Sequence, residues 1–501
     1  MSGAEGAGVI GEDADGPSAD LPAYTAPTKI ALPSAPLERR LRRQARTVEA
    51  FATSLGPLLV GKAVLRRRVP PAEVARRLRR AFDALGSTYV KFGQLIASSP
   101  GAFGAEVAAE FRTLLDEGPT VDFETVRATV ETAFGRPIDE LFASFEPQPL
   151  AAASMAVVHR ATLPDGRTVA VKVLRPGMAA RAALDLDIMQ PLFKRLGLMG
   201  LELGGMLYRY LTGFRSQVAE ELDLRNEART MVHMRQLAAE AGLEGIVIPA
   251  PIEGLVATDV LAMEYLDGVP IDDFAEVGRL GIDAKPLVRE LVDFWFLTGL
   301  RDGVFHGDIH AGNLMLLRDG RLGLLDWGIV GVLDERTRFV FRRFVQAMLG
   351  DAGAFADVAQ FMQEMLPFVG SESGEMLEEA NREIGKMLTR PFGEVDMADA
   401  LRNGRPERSA RLSPAERKEV AERLRRQRRF ERQALKTGVA DSHFGQANFL
   451  LFKQLLYFDR YGKMYMADEA LLGNRQFLLG VLGDGEGAAD PAFPVAEGAA
   501  T

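Results

Sequence analysis

The sequence predicts an α+β protein with two lobes, a small one rich in β-strands and a larger one that is mainly helical. Three observations support this class. The chain has 501 residues, 47% of them hydrophobic, which is enough for two or three cores and too much for one. Residues 149–177 and 246–271 alternate small, β-branched and polar side chains, as strands do. Most of the remaining chain has the apolar periodicity of helices.

Five segments are predicted along the chain. The N-terminal segment has few large apolar side chains, so burial cannot offset the entropy lost on folding. The five segments are a disordered tail at residues 1–37, a helical extension at 38–140, a β-rich lobe at 141–266, a helical lobe with C-terminal helices at 267–482 and a disordered tail at 483–501.

Composition argues against several classes of protein. The formal net charge of −9 does not favour general binding of nucleic acid. The absence of cysteine removes disulfides, thiolate metal ligands and cysteine nucleophiles, and it fits a reducing compartment. No secretory signal and no apolar run long enough to span a membrane is found. The protein is therefore predicted to be cytoplasmic, with peripheral membrane contact left open.

Two segments are locally basic despite the negative net charge. Arginines are frequent at residues 39–80 and again at 403–437, where Ser413 and Pro414 predict the start of a helix. The ordinary interpretation is a solvated helix face with interleaved glutamates. The alternative is a surface that contacts anionic lipid, or, for the second segment, an acidic partner.

The strongest chemical signal is the stretch VFHGDIHAGNLMLLRDGRLGLLDWGIV, Val304–Val330. It places Asp308, Asn313 and Asp326 at successive spacings of five and thirteen residues between apolar runs. Phosphoryl transfer needs a carboxylate to orient the attacking oxygen and Mg²⁺ to neutralise developing charge. Asp308 is the candidate for the first role. Asn313 and Asp326 offer the oxygen ligands that Mg²⁺ prefers.

A cation for the phosphates is available in a predicted strand. Lys172 lies in TVAVKVL, which follows the turn at residues 164–166. A lone lysine in a strand is usually a solvent-facing edge residue. Here, however, a helix with several acidic residues follows some 50 residues later, as a nucleotide-binding lysine and its partner helix require. We expect Lys172 to contact the α and β phosphates, held by Glu227 rather than by Glu220 or Glu221.

The strands of residues 246–271 end in Met263, Glu264 and Leu266. This pattern resembles the linker between the lobes of kinases, where backbone amide and carbonyl groups bind adenine. An ordinary strand and turn is the alternative.

The sequence HGDIH raises the question of a zinc site formed by His306 and His310. Two histidines at this spacing chelate a metal from a helix, which Gly307 opposes. We therefore expect His306 to buttress the loop by hydrogen bonding.

Four features together resemble the UbiB and AarF family of atypical kinase-like proteins, over residues 55–330. The first is KFGQ, and the second is an alanine-rich loop in place of a glycine-rich one. The third is ELD followed by a glutamate, and the fourth is HGDIHAGN with DWG. The residues concerned, beyond those named above, are Lys91, Gln94, Ala151, Ala152, Ala153, Ser154, Glu221 and Asp223.

The resemblance implies a protein-kinase-like fold that binds ATP or ADP with Mg²⁺. The alanine-rich loop, Lys172 and the linker would bind the nucleotide, while Lys91 and Gln94 would lie near Glu221 and Asp223 and cover the acceptor site. ATPase or small-molecule kinase activity is implied, rather than phosphorylation of other proteins. A link to isoprenoid quinone or membrane-lipid metabolism follows, with nucleotide, an anionic membrane surface and a lipid or quinone precursor as partners.

The chain departs from the family after the alanine-rich loop, where Met155, Ala156 and Val157 replace Ile-Gly-Gln. Two other functions are considered. A phosphotransferase of the aminoglycoside or choline kinase type shares HGDxHxxN, although KFGQ and the alanine-rich loop argue against it. A non-catalytic nucleotide-sensing scaffold is disfavoured because the set of candidate catalytic residues is complete.

Overall fold

The computed structural model describes most of the chain between residues 27 and 483. The described residues are 27–28, 30, 32–33, 36–65, 71–97, 105–111, 114, 121–198, 202–351, 353–358, 385, 387–395 and 443–483. The predicted C-terminal tail beyond residue 483, the first 26 residues and the basic helix predicted at 403–437 lie outside these ranges. Thr28 and Ile30 fall within the segment predicted to be disordered, yet both form hydrogen bonds to the folded chain.

The described part of the N-terminal extension up to residue 111 is helical. Its helices are α1 Leu37–Leu65, α2 Pro71–Leu85, α3 Ser87–Ala97 and α4 Ala105–Phe111. Their shared core is aromatic: the ring of Phe82 lies 5.7 Å from that of Tyr89 and 5.4 Å from that of Phe111. Burial of rings of this size is the main force holding short helices together.

A five-stranded antiparallel sheet follows. The elements of this region are α5 Phe123–Phe134, α6 Ile138–Leu141, β1 Ser144–Ala152, β2 Ala156–Thr162, β3 Thr168–Leu174, β4 Ile246–Val247, β5 Pro251–Val256 and β6 Val260–Glu264. The strand order is β1-β2-β3-β6-β5. The predicted strand TVAVKVL is β3 itself, and Lys172 at its centre is paired in register with Val158 and Leu261. Alternate β3 residues, including Val169 and Val171, pack on α5 in one buried cluster.

Three helices lie between β3 and β4 in the chain, namely α7 Met178–Leu198, α8 Glu202–Glu221 and α9 Leu224–Glu240. Asp223 caps α9, because its carboxylate accepts a hydrogen bond from the backbone N–H of Arg225. The cap places Glu227 in the first turn of α9, where Glu227 is buried.

A second sheet carries the predicted catalytic stretch. The elements from residue 268 to 332 are β7 Gly268–Pro270, α10 Phe274–Leu280, α11 Ala284–Leu297, β8 Val304–His306, β9 Leu314–Leu317, β10 Leu322–Leu324 and β11 Val330–Val332. The sheet has the order β4-β10-β9-β7. Because β9 and β10 form an antiparallel hairpin in which Leu314 faces Leu324, the residues before β9 and after β10 meet at one end.

The chain divides into two compact units. The first contains residues Met1–Leu287, His306–Val330 and Asp396–Tyr457, and the second contains Val288–Phe305, Gly331–Val395 and Phe458–Thr501. All candidate site residues belong to the first unit. The remaining helices with described bounds are α12 Glu335–Met348, α13 His443–Tyr465 and α14 Arg475–Gly483.

The second unit is built around Trp295. Its ring lies 5.4 Å from that of Phe305, 6.0 Å from that of Phe341 and 5.3 Å from that of Phe458. The predicted continuous apolar helix is correct up to Leu297, after which a π-helical turn, Thr298–Asp302, ends at Gly303 with a φ of 70°. The predicted α+β class therefore holds, with β-structure in one region and a mainly helical remainder.

Candidate active site

Lys172, Glu227 and Asp326 form a buried cluster of charges. The Lys172 ammonium lies 2.8 Å from both carboxylate oxygens of Glu227 and 3.3 Å from Oδ1 of Asp326. The Lys172 and Glu227 side chains are 12% and 3% exposed, whereas that of Asp326 is 45% exposed. Of the glutamates considered from the sequence, Glu227 is thus the one that pairs with Lys172.

The three charges set one another's protonation. Loss of hydration opposes the charged form of Lys172, but Asp326 and Glu227 outweigh it and raise the pKa of the ammonium. Burial, with Asp326 adding to it against the attraction of Lys172, raises the pKa of Glu227 to about 7. For Asp326 the attraction of Lys172 and a hydrogen bond from Gly328 exceed the desolvation penalty, so its pKa falls well below the ordinary range. Asp326 therefore stays an anion.

His306 connects the two ends of the hairpin. Its Nδ1 accepts a hydrogen bond of 3.0 Å from the N–H of Asp308, and its ring also hydrogen-bonds to the main chain of Asp326. Burial lowers the pKa of His306 to about 4, so the ring is neutral and Nδ1 can act as an acceptor. The ring packs against Trp327 with the centroids 4.5 Å apart. This is the loop-supporting geometry expected from the sequence.

Asp308 and Asn313 occupy one turn of backbone. The side-chain nitrogen of Asn313 donates a hydrogen bond to the backbone carbonyl of Asp308 at 2.9 Å. This bond leaves the side-chain oxygen of Asn313, Oδ1, for another ligand. Desolvation opposes ionisation of Asp308, but the ammonium of Lys453, at 2.7 Å from Oδ1, lowers its pKa. Asp308 is therefore a carboxylate that is paired with a lysine from α13.

Two residues of α13 were not identified as site residues from the sequence. Lys453 contacts Asp308, and the neighbouring Gln454 accepts a hydrogen bond from the N–H of Ile309 at 2.9 Å and donates one to the carbonyl of Gly307 at 2.5 Å. The sequence interpretation was a packed core helix. The available signal was the pair Lys-Gln inside the apolar run FLLFKQLLYF.

Three hydrogen bonds donated by Trp327 and Gly328 help to hold the DWG triplet in place. The N–H of Gly328 donates to Oδ1 of Asp326 at 2.9 Å, and the N–H of Trp327 donates to Glu227 at 3.3 Å. The indole N–H of Trp327 donates to the carbonyl of Leu324 at 3.1 Å. An added Cβ at Gly328 would lie 3.1 Å from Oδ1 of Asp326, so a side chain there would crowd this carboxylate.

The residues present fit a magnesium ion. Asp326 supplies an anionic, partly exposed carboxylate, and Asn313 supplies a neutral amide oxygen. Within the described ranges, no group of three or more His, Cys, Asp or Glu residues is placed to hold a metal by itself. Mg²⁺ characteristically takes one or two protein ligands and completes its shell with phosphate and water.

The KFGQ lysine reaches the same region. The Lys91 ammonium is paired with the carboxylate of Glu221, which also accepts a hydrogen bond of 2.9 Å from Gln217. The positive charge of Lys91 helps to lower the pKa of Asp326. Gln94 is half-buried on α3, one turn after Lys91. Asp223 is used differently from Glu221, because it caps α9 and pairs with Arg225 at 2.8 Å.

The alanine-rich loop joins β1 to β2. Ala151 and Ala152 end β1, and the loop that follows is fixed because the Arg175 guanidinium donates to the carbonyl of Ala153 at 2.8 Å. Ser154 is buried.

In the predicted adenine-binding linker, Met263 and Leu266 are buried and Glu264 is exposed. The N–H of Glu264 donates to the carbonyl of Ala250 at 2.8 Å, so this amide is already used by the protein.

Comparison with known proteins gives one family. Residues 113–358 match the ABC1 atypical kinase-like domain. The chain is 31% identical over 403 residues to an uncharacterized chloroplastic aarF domain-containing protein kinase of Arabidopsis thaliana, covering 77% of this chain and 71% of that protein. It is 34% identical over 273 residues to a Marinobacter nauticus protein named "Probable protein kinase UbiB", covering 51% and 48%.

Further similarity is found to proteins of Mycobacterium tuberculosis. The uncharacterized protein Rv0647c is 41% identical over 278 residues, and the match spans 55% of this chain and 57% of that protein. Among solved structures, that of Rv3197 with erythromycin is similar at a TM-score of 0.40 and 22% identity, over 67% of this chain and 83% of the other. From the match to residues 113–358 and the extent of the Arabidopsis similarity, the chain belongs to the ABC1 atypical kinase-like family of AarF and UbiB proteins and has its kinase-like fold.

Proposed function

We propose that the chain binds ATP with Mg²⁺ and transfers or hydrolyses the γ-phosphate. The observation that carries this proposal is the Lys172 ammonium between Glu227 and Asp326, at 2.8 Å and 3.3 Å. A cation held in place by one carboxylate, beside a second one that can bind metal, is the arrangement that phosphoryl transfer requires.

Each residue has one role in this mechanism. Lys172 holds the α and β phosphates, and Asp326 and Asn313 hold Mg²⁺. When bound, the ion neutralises charge on the phosphates. Asp308 orients the attacking oxygen, because it is ionised and its N–H is fixed by His306. Binding and orientation thus supply most of the expected rate enhancement.

The acceptor that we propose is water or a small molecule. Lys91 and Glu221 pair next to the DWG triplet, and an added Cβ at Gly328 would lie 3.6 Å from Cγ of Glu221. This position supports an acceptor site that is covered by side chains of the chain itself, and such a cover would disfavour a folded protein as acceptor. A scaffold that binds nucleotide without turnover is the competing function, and a covered acceptor site would also support that function.

We further propose that the acceptor or regulator is a membrane component, such as a lipid or a quinone precursor. The name UbiB of one relative and the surface of α1 support this: Leu37 and Leu41 are 70% and 55% exposed next to exposed arginines. No described helix is long and apolar enough to cross a membrane. The membrane contact that we propose is peripheral and is made by the surface of α1 around Leu37 and Leu41.

The proposal is tested by phosphate release from ATP. Purified protein is assayed with and without Mg²⁺, anionic liposomes and quinone precursors, and soluble hydroxylated molecules are supplied as alternative acceptors. Release that depends on Mg²⁺ supports the proposal, and rapid use of a soluble acceptor would favour a small-molecule kinase. Tight nucleotide binding without phosphate release in any mixture would leave the non-catalytic scaffold as the remaining function.

The variant Asp326→Asn tests the metal site. A ligand at about 100 times its Kd stabilises a protein by about 2.7 kcal/mol, which a thermal shift assay detects. We expect the Mg²⁺-dependent part of the ATP-induced shift to be lost in Asp326→Asn, since the amide has no charge to hold the ion. Asp319→Asn is the control, because Asp319 is exposed and pairs with Arg321 in the β9–β10 turn. An unchanged shift in Asp326→Asn would remove Asp326 from the metal site.

A further inference from the structure

A buried lysine from the C-terminal helix lies beside the candidate catalytic carboxylate. Lys453 is 5% exposed, and its ammonium is 2.7 Å from Oδ1 of Asp308. The ring of Tyr457, one turn later on α13, also lies near this ammonium, with its centroid 5.9 Å away. Lys453 lies outside residues 113–358, the part of the chain that matches the family's domain.

Stability alone does not account for this lysine. Burying an ammonium and a carboxylate costs about as much hydration energy as their attraction returns, so an apolar pair would serve a core at least as well. Phosphoryl transfer, in contrast, gains from every cation near the transferred group. The loop between Asp308 and Asn313 contains no lysine or arginine. Its one histidine, His310, accepts a hydrogen bond at Nδ1 from the backbone N–H of Gly312. Any further cation for the reacting phosphate must therefore come from another segment.

We propose that Lys453 is a catalytic residue that contacts the γ-phosphate of bound ATP while it remains paired with Asp308. This inference rests on the proposed function. Asp308 orients the attacking oxygen, so a cation within hydrogen-bond distance of Asp308 lies next to the phosphorus that this oxygen attacks. Lys172 contacts the α and β phosphates, and Lys453 contacts the γ-phosphate.

The step balances without a further reactant. The acceptor oxygen forms a bond to the γ-phosphorus, the bond from this phosphorus to the bridging oxygen breaks, and its electron pair leaves on ADP. The proton of the acceptor passes to Asp308. Lys453 stays protonated throughout and offsets the charge that gathers on the transferred phosphoryl oxygens.

Gln454 is a positioning residue in the same arrangement. It binds the backbone on either side of Asp308, at Gly307 and at Ile309, and it is fully buried. Because Gln454 and Lys453 are consecutive on α13, the hydrogen bonds of one fix the distance of the other from Asp308. The helix thus holds the loop and delivers the cation together.

The experiment compares binding of ADP with binding of a non-hydrolysable ATP analogue, both with Mg²⁺, by calorimetry. A lysine that contacts the γ-phosphate adds affinity for the analogue alone. We expect Lys453→Met to weaken binding of the analogue by about tenfold and to change the affinity for ADP by less than about twofold. Lys463→Met is the control on the same helix, because Lys463 is exposed and pairs with Asp459.

Two further variants separate the phosphate contact from a structural role. Lys453→Arg keeps the positive charge, so this variant should retain most of the wild-type preference for the analogue over ADP. Asp308→Asn removes the partner of Lys453, and this variant should keep that preference while it loses turnover. Unfolding temperatures of all variants are measured first, and an ATP-over-ADP preference that is equal in Lys453→Met and wild type would overturn the proposal.

Turnover gives an independent measurement. The kcat for phosphate release should fall by about 100-fold in Lys453→Met, with recovery in Lys453→Arg. A rise in kcat would show that Lys453 restrains Asp308 and would contradict the proposal. If wild type releases no phosphate but Lys453→Met still loses the preference for the analogue, the γ-phosphate contact stands and the enzymatic function fails. If wild type binds neither nucleotide, both fail.

Discussion

Lys172 remains charged although it is buried, because two carboxylates lie within 3.3 Å of its ammonium. One positive charge between two negative ones leaves an excess of one anion, and Glu227, the more deeply buried of the two carboxylates, carries the raised pKa. Asp326 keeps its negative charge on the partly exposed side. The cluster therefore presents its anion where a metal ion can approach.

Asp293 allows a prediction for the effect of a buried carboxyl on stability. Burial raises its pKa to about 6, although Asn474 donates to it at 2.6 Å. The folded chain then holds this proton at pH values where the unfolded chain has released it. The free energy of unfolding should therefore fall as pH rises, and the loss attributable to Asp293 between pH 4 and 7 is about 2 kcal/mol.

Asp293→Asn removes this titration, so the difference between wild type and variant should change with pH in chemical denaturation. Wild type should lose stability relative to Asp293→Asn as pH rises from 4 to 7. A difference that stays constant over this range would show that Asp293 does not titrate there.

At the scale of elements, α3 shows how a motif residue is fixed by packing. Gly93 in KFGQ faces α4: an added Cβ would overlap Cδ1 of Leu114 and lie 3.0 Å from Cδ1 of Phe111. The absence of a side chain lets α3 approach these residues closely. This approach sets the position of Lys91, two residues earlier on the same helix.

Gly93→Ala should therefore destabilise the protein. Glycine to alanine in a helix normally stabilises by about 0.5–1 kcal/mol, but overpacking costs about 1–3 kcal/mol. We expect a net loss of about 1 kcal/mol in thermal or chemical unfolding. Gly278→Ala in α10 is the matched control, since an added Cβ there meets nothing within 4 Å, and it should be stabilising. Equal effects at the two sites would contradict the packing argument.

Elements set by local sequence could be predicted, and those set by distant contacts could not. The strand β3 follows from its β-branched residues and the turn before it, so its bounds were correct. The π-helical turn at Thr298–Asp302 was missed, because its apolar periodicity continues that of α11. At the site, Glu227 was chosen because an acidic helix follows Lys172 and because ELD followed by a glutamate resembles the family's motif. Lys453 and Gln454 stand out in the sequence only as a polar pair inside an apolar run, and nothing in the sequence links Gln454 to Ile309, from which it lies 145 residues away.

At the scale of the whole molecule, the N-terminal segments are tied to the rest of the first unit by partly buried polar contacts. Arg43 of α1 pairs with Asp185 of α7 at 2.6 Å and donates to the carbonyl of Leu85. Burial raises the pKa of Asp185, against the attraction of Arg43. Further along, the Asn226 side chain bonds both the N–H and the carbonyl of Thr28. These contacts hold α1 against α7, and residue 28 against α9.

Removal of Lys91 is expected to increase turnover. Its ammonium lies near Asp326 and competes with other cations for that carboxylate. Lys91→Ala should therefore raise ATPase activity several-fold or reveal autophosphorylation, measured by phosphate release and by incorporation of labelled phosphate. Arg76→Ala is the control within the extension, because Arg76 is exposed and pairs with Glu110. If both measurements match wild type, the extension does not restrict the site.

Trp327 has a consequence for the optical properties of the chain. The sequence contains two tryptophans, and the other, Trp295, lies in the aromatic core of the second unit. Trp327 is buried against His306, and its backbone donates to Glu227. In a Trp295→Phe background, intrinsic tryptophan fluorescence would come from Trp327 alone, so the chain carries a label-free reporter at the centre of the loop that we propose to bind Mg²⁺.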